Sequence, residues 1–130
     1  MSTRYIADSV RRLVAERANF CCEYCGIAQE DAFFTFQIDH IISLKHGGET
    51  TDDNLAYSCF PCNSNKGSDI GTVLLPDVVF IRLFNPRSDN WNAHFKLIQG
   101  VFYSDTEIGK ATIKVLKLND RNRVLERQIL

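Results

Sequence analysis

A chain of 130 residues with 45% hydrophobic side chains holds enough apolar material for one modest core and too little for two comfortable domains, so one globular unit is expected. No apolar run approaches membrane length and the N-terminus lacks a basic-then-apolar export pattern, which points to a cytoplasmic protein with no membrane partner. The net charge of −1 excludes a uniformly cationic surface, yet residues 1–70 hold six Lys/Arg against ten Asp/Glu (net −4) and residues 71–130 nine against six (net +3), so an acidic half precedes a basic one.

In chain order, Ile6, Val10, Leu13, Val14 and Ala18 recur at helical spacing within residues 3–19, with Arg4/Asp8 and Arg12/Glu16 as i,i+4 pairs. An amphipathic helix therefore leads into a knuckle. Its Arg11, Arg12 and Arg17 offer contacts to phosphate or to solvent. In the knuckle, only Cys22 and Cys25 have the two-residue gap that presents both sulfurs to one tetrahedral ion, Gly26 suits the closing turn, and Cys21 is left as a small buried hydrophobe. Residues 32–38 are aromatic and β-branched, hence a strand delivering Asp39 and His40 at its end. A regular strand points such neighbours to opposite faces. Residues 45–53 read as a polar loop punctuated by Gly47-Gly48, and residues 55–58 as a short second strand.

Pro61 suits the start of a helix beginning just after Cys59, because its missing N–H needs no partner there. Adjacent helical residues diverge by about 100°, so Cys62 and Asn63 can serve two different sites, whereas Asn63 and Lys66 share a face. Beyond Gly71, residues 78–84 read as a buried strand and residues 85–90 as a turn-rich loop. Trp91, Ala93, Phe95 and Leu97 alternate with polar residues, and a hairpin through Gln99-Gly100 follows. Thr106 can cap a helix with Ile108, Ala111, Val115 and Leu118 on its apolar side and Lys110, Lys114 and Lys117 opposite. Asn119 or Asp120 restarts a last helix carrying Arg121, Arg123 and Arg127.

The chain spells C-x2-C-x33-C-x2-C through Cys22, Cys25, Cys59 and Cys62. In a reducing compartment two such pairs favour a structural zinc over disulfides, and zinc held by four thiolates has no open position for catalysis. Asp39-His40 lies inside the loop that this zinc closes. A carboxylate there is a hard oxygen ligand for Mg²⁺, and an imidazole is a base with an ordinary pKa near neutrality.

The segment Ile38-Asp39-His40-Ile41-Ile42, with Gly47-Gly48, Asn54-Leu55 and Cys59-x-x-Cys62-Asn63-x-x-Lys66, resembles the signature of the HNH endonuclease family over residues 17–67. The resemblance implies an α+β fold: a zinc-stabilised ββα-metal core in residues 1–70, preceded by a helix. A strand, a hairpin and two helices in residues 71–130 are then an extension packed on the core. It implies that His40 is the general base that activates water, that Asn54 pins the loop and orients the imidazole, and that Asp39 and Asn63 hold a catalytic Mg²⁺ or another divalent cation. Asn63 stands where the family often has its final histidine. The implied partner is DNA, most simply double-stranded, with Lys66, Arg82, Arg87, Lys110, Lys114 and Lys117 as candidate phosphate contacts. The alternative from another class is a non-catalytic, zinc-stabilised nucleic-acid-binding or regulatory domain.

Overall fold

The computed structural model describes residues 5–130 and is α+β, mixing helices with three small two-stranded sheets. Its first element, helix α1 (Asp8–Arg17), is shorter than the periodicity suggests, because Ala7 is extended and Asp8 opens the first turn, where a carboxylate complements the helix dipole. Of the residues expected in that helix, Thr3 and Arg4 lie outside the described residues. Val14 and Ala15 of α1 are buried with Ile6, Leu55 and Tyr57, and Val10, Ala18, Phe36 and Ile38 pack around them. Each fully buried aliphatic side chain of this kind contributes about 1.5–3 kcal/mol.

Strand β1 (Gln37–His40) pairs antiparallel with β2 (Leu55–Ser58), Gln37 opposite Ser58 and His40 opposite Leu55. The strand expected over residues 32–38 is thus displaced toward the C-terminus. Beyond Ser58 the chain turns at Cys59 to cap helix α2 (Phe60–Lys66), so residues before Gln37 have no strand to pair with. Phe33 and Phe34 consequently stay exposed, with the Phe34 ring tilted against that of Phe60. The β1–β2 connection contains short 3-10 turns at Leu44–His46 and Asp52–Asn54.

The chain divides between Ser68 and Asp69 into two compact units. In the second, β3 (Gly71–Val73) pairs with β4 (Phe80–Arg82), and β5 (Lys96–Ile98) with β6 (Val101–Tyr103). The buried strand expected over residues 78–84 shrinks to the three residues that face β3, and Val78 and Val79 are exposed. The alternation from Trp91 to Leu97 also misleads. Asn90 accepts a hydrogen bond from the Asn92 amide and starts a one-turn helix α3 (Trp91–His94) before the strand begins. Gln99 and Gly100 both have positive φ, 50° and 81°, the conformation that a tight two-residue hairpin requires. Thr106 caps α4 (Glu107–Val115) by accepting from the Gly109 amide, and α5 (Arg121–Gln128) follows.

Candidate active site

The sulfurs of Cys22, Cys25, Cys59 and Cys62 all lie within 4.8 Å of one another and all four residues are buried. The 3.6 Å separation of the Cys25 and Cys59 sulfurs is close to the edge of a tetrahedron with zinc–sulfur bonds of about 2.3 Å, roughly 3.8 Å. The first knuckle is shaped by backbone bonds from Gly26 to Cys22 and from Cys22 to Ile27, and the second by the turn from β2 into α2. Burial pushes the Cys22 thiol up, but hydrogen bonds from Cys25, Cys59 and Cys62 outweigh it and hold Cys22 well below the ordinary thiol range. The hydrogen bond to Cys22 pushes Cys25 up, and burial does the same to Cys62. Four thiols crowded in this way can all ionise only beside a cation, and a divalent ion supplies the charge that stabilises the thiolates. The four cysteines are therefore fit to hold one metal ion such as zinc. Cys21 stands apart, half-buried, with its thiol on the Asn19 carbonyl.

Beside this cluster, Asp39, His40 and Asn63 line one cleft of about 260 Å³ together with Ile38, Ser43, Leu44, Lys45, Gly67 and Ser68. Asp39 and His40 stay in regular strand register and turn to different partners, as alternation requires. The cleft sits at the strand's end, where both contribute to the wall. His40 Nε2 is 2.9 Å from the Thr50 hydroxyl. Asp39 is buried, its Oδ2 accepting from the Tyr24 hydroxyl at 2.6 Å and its Oδ1 from Lys66 Nζ at 3.2 Å. Burial raises the Asp39 carboxyl above its ordinary value, against the opposing pull of the Lys66 charge and the two hydrogen bonds. Burial likewise raises Tyr24 well above the usual phenol range, with the Asp39 charge adding to it, so Tyr24 remains a donor.

Asn54 fastens the loop. Its Oδ1 accepts from the Ile42 amide and its Nδ2 donates to the carbonyls of Ile42 and Glu49. Both N–H groups are thereby committed, so the bond shown at the imidazole's Nε2 is with Thr50 and not a donation from Asn54. Gly47 has φ +86°, and a Cβ on Gly48 would lie 1.7 Å from the Ile42 carbonyl oxygen, so the loop needs both glycines.

Lys66 corrects the expectation of a phosphate contact. It is 1% exposed and donates to the His40 carbonyl at 3.0 Å as well as to Asp39. Arg17 donates to the carbonyls of Asp52 and Leu55, which makes it a brace for the loop. Arg82 forks onto Asp89, and Arg87, half-buried, lies in the following loop with its amide on Asn85 Oδ1. Lys110 and Lys114 are exposed on α4, the latter donating to the Val73 carbonyl, whereas Lys117 lies past the helix end with φ 52° and does not extend their stripe. His46 is exposed, and His94 bonds the Thr106 hydroxyl through Nδ1. Two residues at the site, Tyr24 and Thr50, carry no motif of their own. The position of Tyr24 between two ligand cysteines was the available signal for the first.

Among the described residues no helix is long and apolar enough to cross a membrane. A family model described as HNH endonuclease matches residues 22–69. No curated protein and no solved structure matches the chain. Residues 22–69 therefore match the HNH endonuclease family model and include four cysteines positioned to hold a metal ion such as zinc.

Proposed function

We propose that the first unit hydrolyses phosphodiester bonds in DNA as a metal-dependent endonuclease. The observation that carries this reading is the presence of Asp39, His40 and Asn63 on the wall of one open cleft, within the matched family segment. In the tautomer in which Nε2–H donates to the Thr50 hydroxyl, the neutral His40 ring carries its lone pair on Nδ1, the atom that would then take the proton from the attacking water. Asp39 and Asn63 supply oxygen donors only, the chemistry that suits Mg²⁺, and a carboxylate with one hydrogen bond on each oxygen keeps further lone pairs for a cation. Such a cation, when bound, neutralises charge on the phosphoryl and departing oxygens. Asn54 and Thr50 act as positioning residues, one for the loop and the other for the imidazole. Exposed Lys110, Lys114 and Lys117 add backbone contacts to a duplex, a term that is steeply salt-dependent.

One observation favours the second reading, a zinc-stabilised nucleic-acid-binding or regulatory domain without turnover: the Asp39 carboxylate already has a buried ammonium as counter-ion. Incubation of supercoiled plasmid with the zinc-loaded protein and added Mg²⁺ separates the two. Nicked or linear product that depends on Mg²⁺ and disappears in Asn63→Ala supports the endonuclease. DNA binding without product supports the second reading.

A further inference from the structure

Both oxygens of Asp39 are held by side chains whose backbones belong to the cysteine cluster. Tyr24 lies between Cys22 and Cys25, and its buried hydroxyl donates to Oδ2 at 2.6 Å. Lys66 lies one turn after Cys62 on α2 and donates to Oδ1 at 3.2 Å. The knuckle that carries Tyr24 is also tied to β2, because the Glu23 amide donates to the Tyr57 carbonyl at 2.9 Å and Glu23 Oε2 accepts from the Tyr57 amide at 2.8 Å. With a metal on both flanking cysteines and two bonds to the strand, the Tyr24 backbone has little freedom to follow Asp39, so Asp39 must conform to Tyr24.

We propose that Tyr24 is a positioning residue that couples the four-cysteine metal site to the cleft, holding the Asp39 carboxylate in the one orientation in which it binds a divalent cation. This rests on the reading of Asp39 as a cation ligand. The hydroxyl uses one lone pair of Oδ2 and leaves the carboxylate otherwise an acceptor. A side chain ordered beforehand loses less freedom when the ion arrives, so the cation binds more tightly. The four-cysteine site thus does more than fold the unit: the position of its closed knuckle is transmitted through one phenol to the cleft.

The test uses the zinc-loaded full chain with Mn²⁺ as the probe, its free concentration read by electron paramagnetic resonance and bound zinc by metal analysis. Tyr24→Phe keeps the ring and removes only the hydroxyl. It is expected to retain zinc and secondary structure while binding Mn²⁺ roughly two- to tenfold more weakly, the cost of ordering one freed side chain when the ion arrives. Asp39→Asn should lose more, and the double variant should be no weaker than Asp39→Asn alone, since the hydroxyl acts only through that carboxylate. Wild-type affinity in Tyr24→Phe, with Asp39→Asn impaired, overturns the coupling and leaves Asp39 as a ligand. Unaltered Mn²⁺ binding in Asp39→Asn removes the parent reading and the coupling together. Loss of zinc from Tyr24→Phe reduces the residue to a structural role and overturns the proposal as well.

Discussion

The ammonium of Lys66 lies 3.2 Å from the carboxylate of Asp39, with 1% and 4% of the two side chains exposed. Two charges taken out of water gain little over an apolar pair, but removing either one strands the other. Lys66→Ala is therefore expected to cost about 3 kcal/mol or more in urea unfolding of the metal-loaded protein, where a solvated lysine costs about 0.5 or less. A change within that smaller range contradicts the buried pair.

The loop over the cleft depends on the Asn54 amide and on the lack of a side chain at Gly48. Asn54→Ala removes three hydrogen bonds to the loop backbone and is expected to cost about 1–3 kcal/mol. Gly48→Ala drives a Cβ into the Ile42 carbonyl and should produce a similar or larger loss. Hydrogen exchange at the Ile42 amide, bonded to Asn54 Oδ1, reads both: faster exchange is expected in each variant.

In the second unit Asp89 accepts both arms of the Arg82 fork and the Asn85 amide. These partners, Arg82 foremost, hold its carboxyl below the ordinary value. A lowered folded-state pKa contributes stability above the unfolded pKa, about 3.9, and loses it as pH falls through the folded value. Because Arg82 is half-exposed, the contribution is at most about 1 kcal/mol. The melting temperature of Asp89→Asn should trail the wild type at pH 7 and converge with it below about pH 4. A gap of constant size across that range contradicts the assignment.

The four ligand cysteines all belong to the first unit, and the sole tryptophan, Trp91, to the second. A strong chelator should therefore lower the unfolding transition seen by far-ultraviolet circular dichroism while leaving the Trp91 fluorescence transition largely in place. Coincident loss of both signals contradicts the expectation that the second unit's stability is independent of the metal.

Much of the site was legible because its residues answer to local rules. The two CxxC spacings put four sulfurs in reach of one another, and Gly47-Gly48 marks the turn where a Cβ has no room. Partner-dependent features were hidden. Residues 32–36 look like a strand until one sees that β2 gives way to a cysteine knuckle after Ser58, and Lys66 looks like a solvated helix lysine until the fold brings Asp39 to it across 27 positions. The second unit was read less well for a related reason. A polar cap at Asn90 outweighs the alternation from Trp91 to Leu97, and a left-handed residue at Lys117 ends the lysine stripe.

The role of His40 is tested most directly by single-turnover cleavage of plasmid DNA with Mg²⁺, comparing the wild type with His40→Ala while DNA binding and zinc content are measured in parallel. The side chain is half-buried and held to the loop by Thr50, so its removal should spare the fold. Loss of a general base affects the transition state and not the bound ground state, so the rate should fall by about 10²–10⁴ with affinity for DNA within a factor of about two. Undiminished cleavage by His40→Ala at neutral pH, or a loss of cleavage matched by an equal loss of binding, would contradict it.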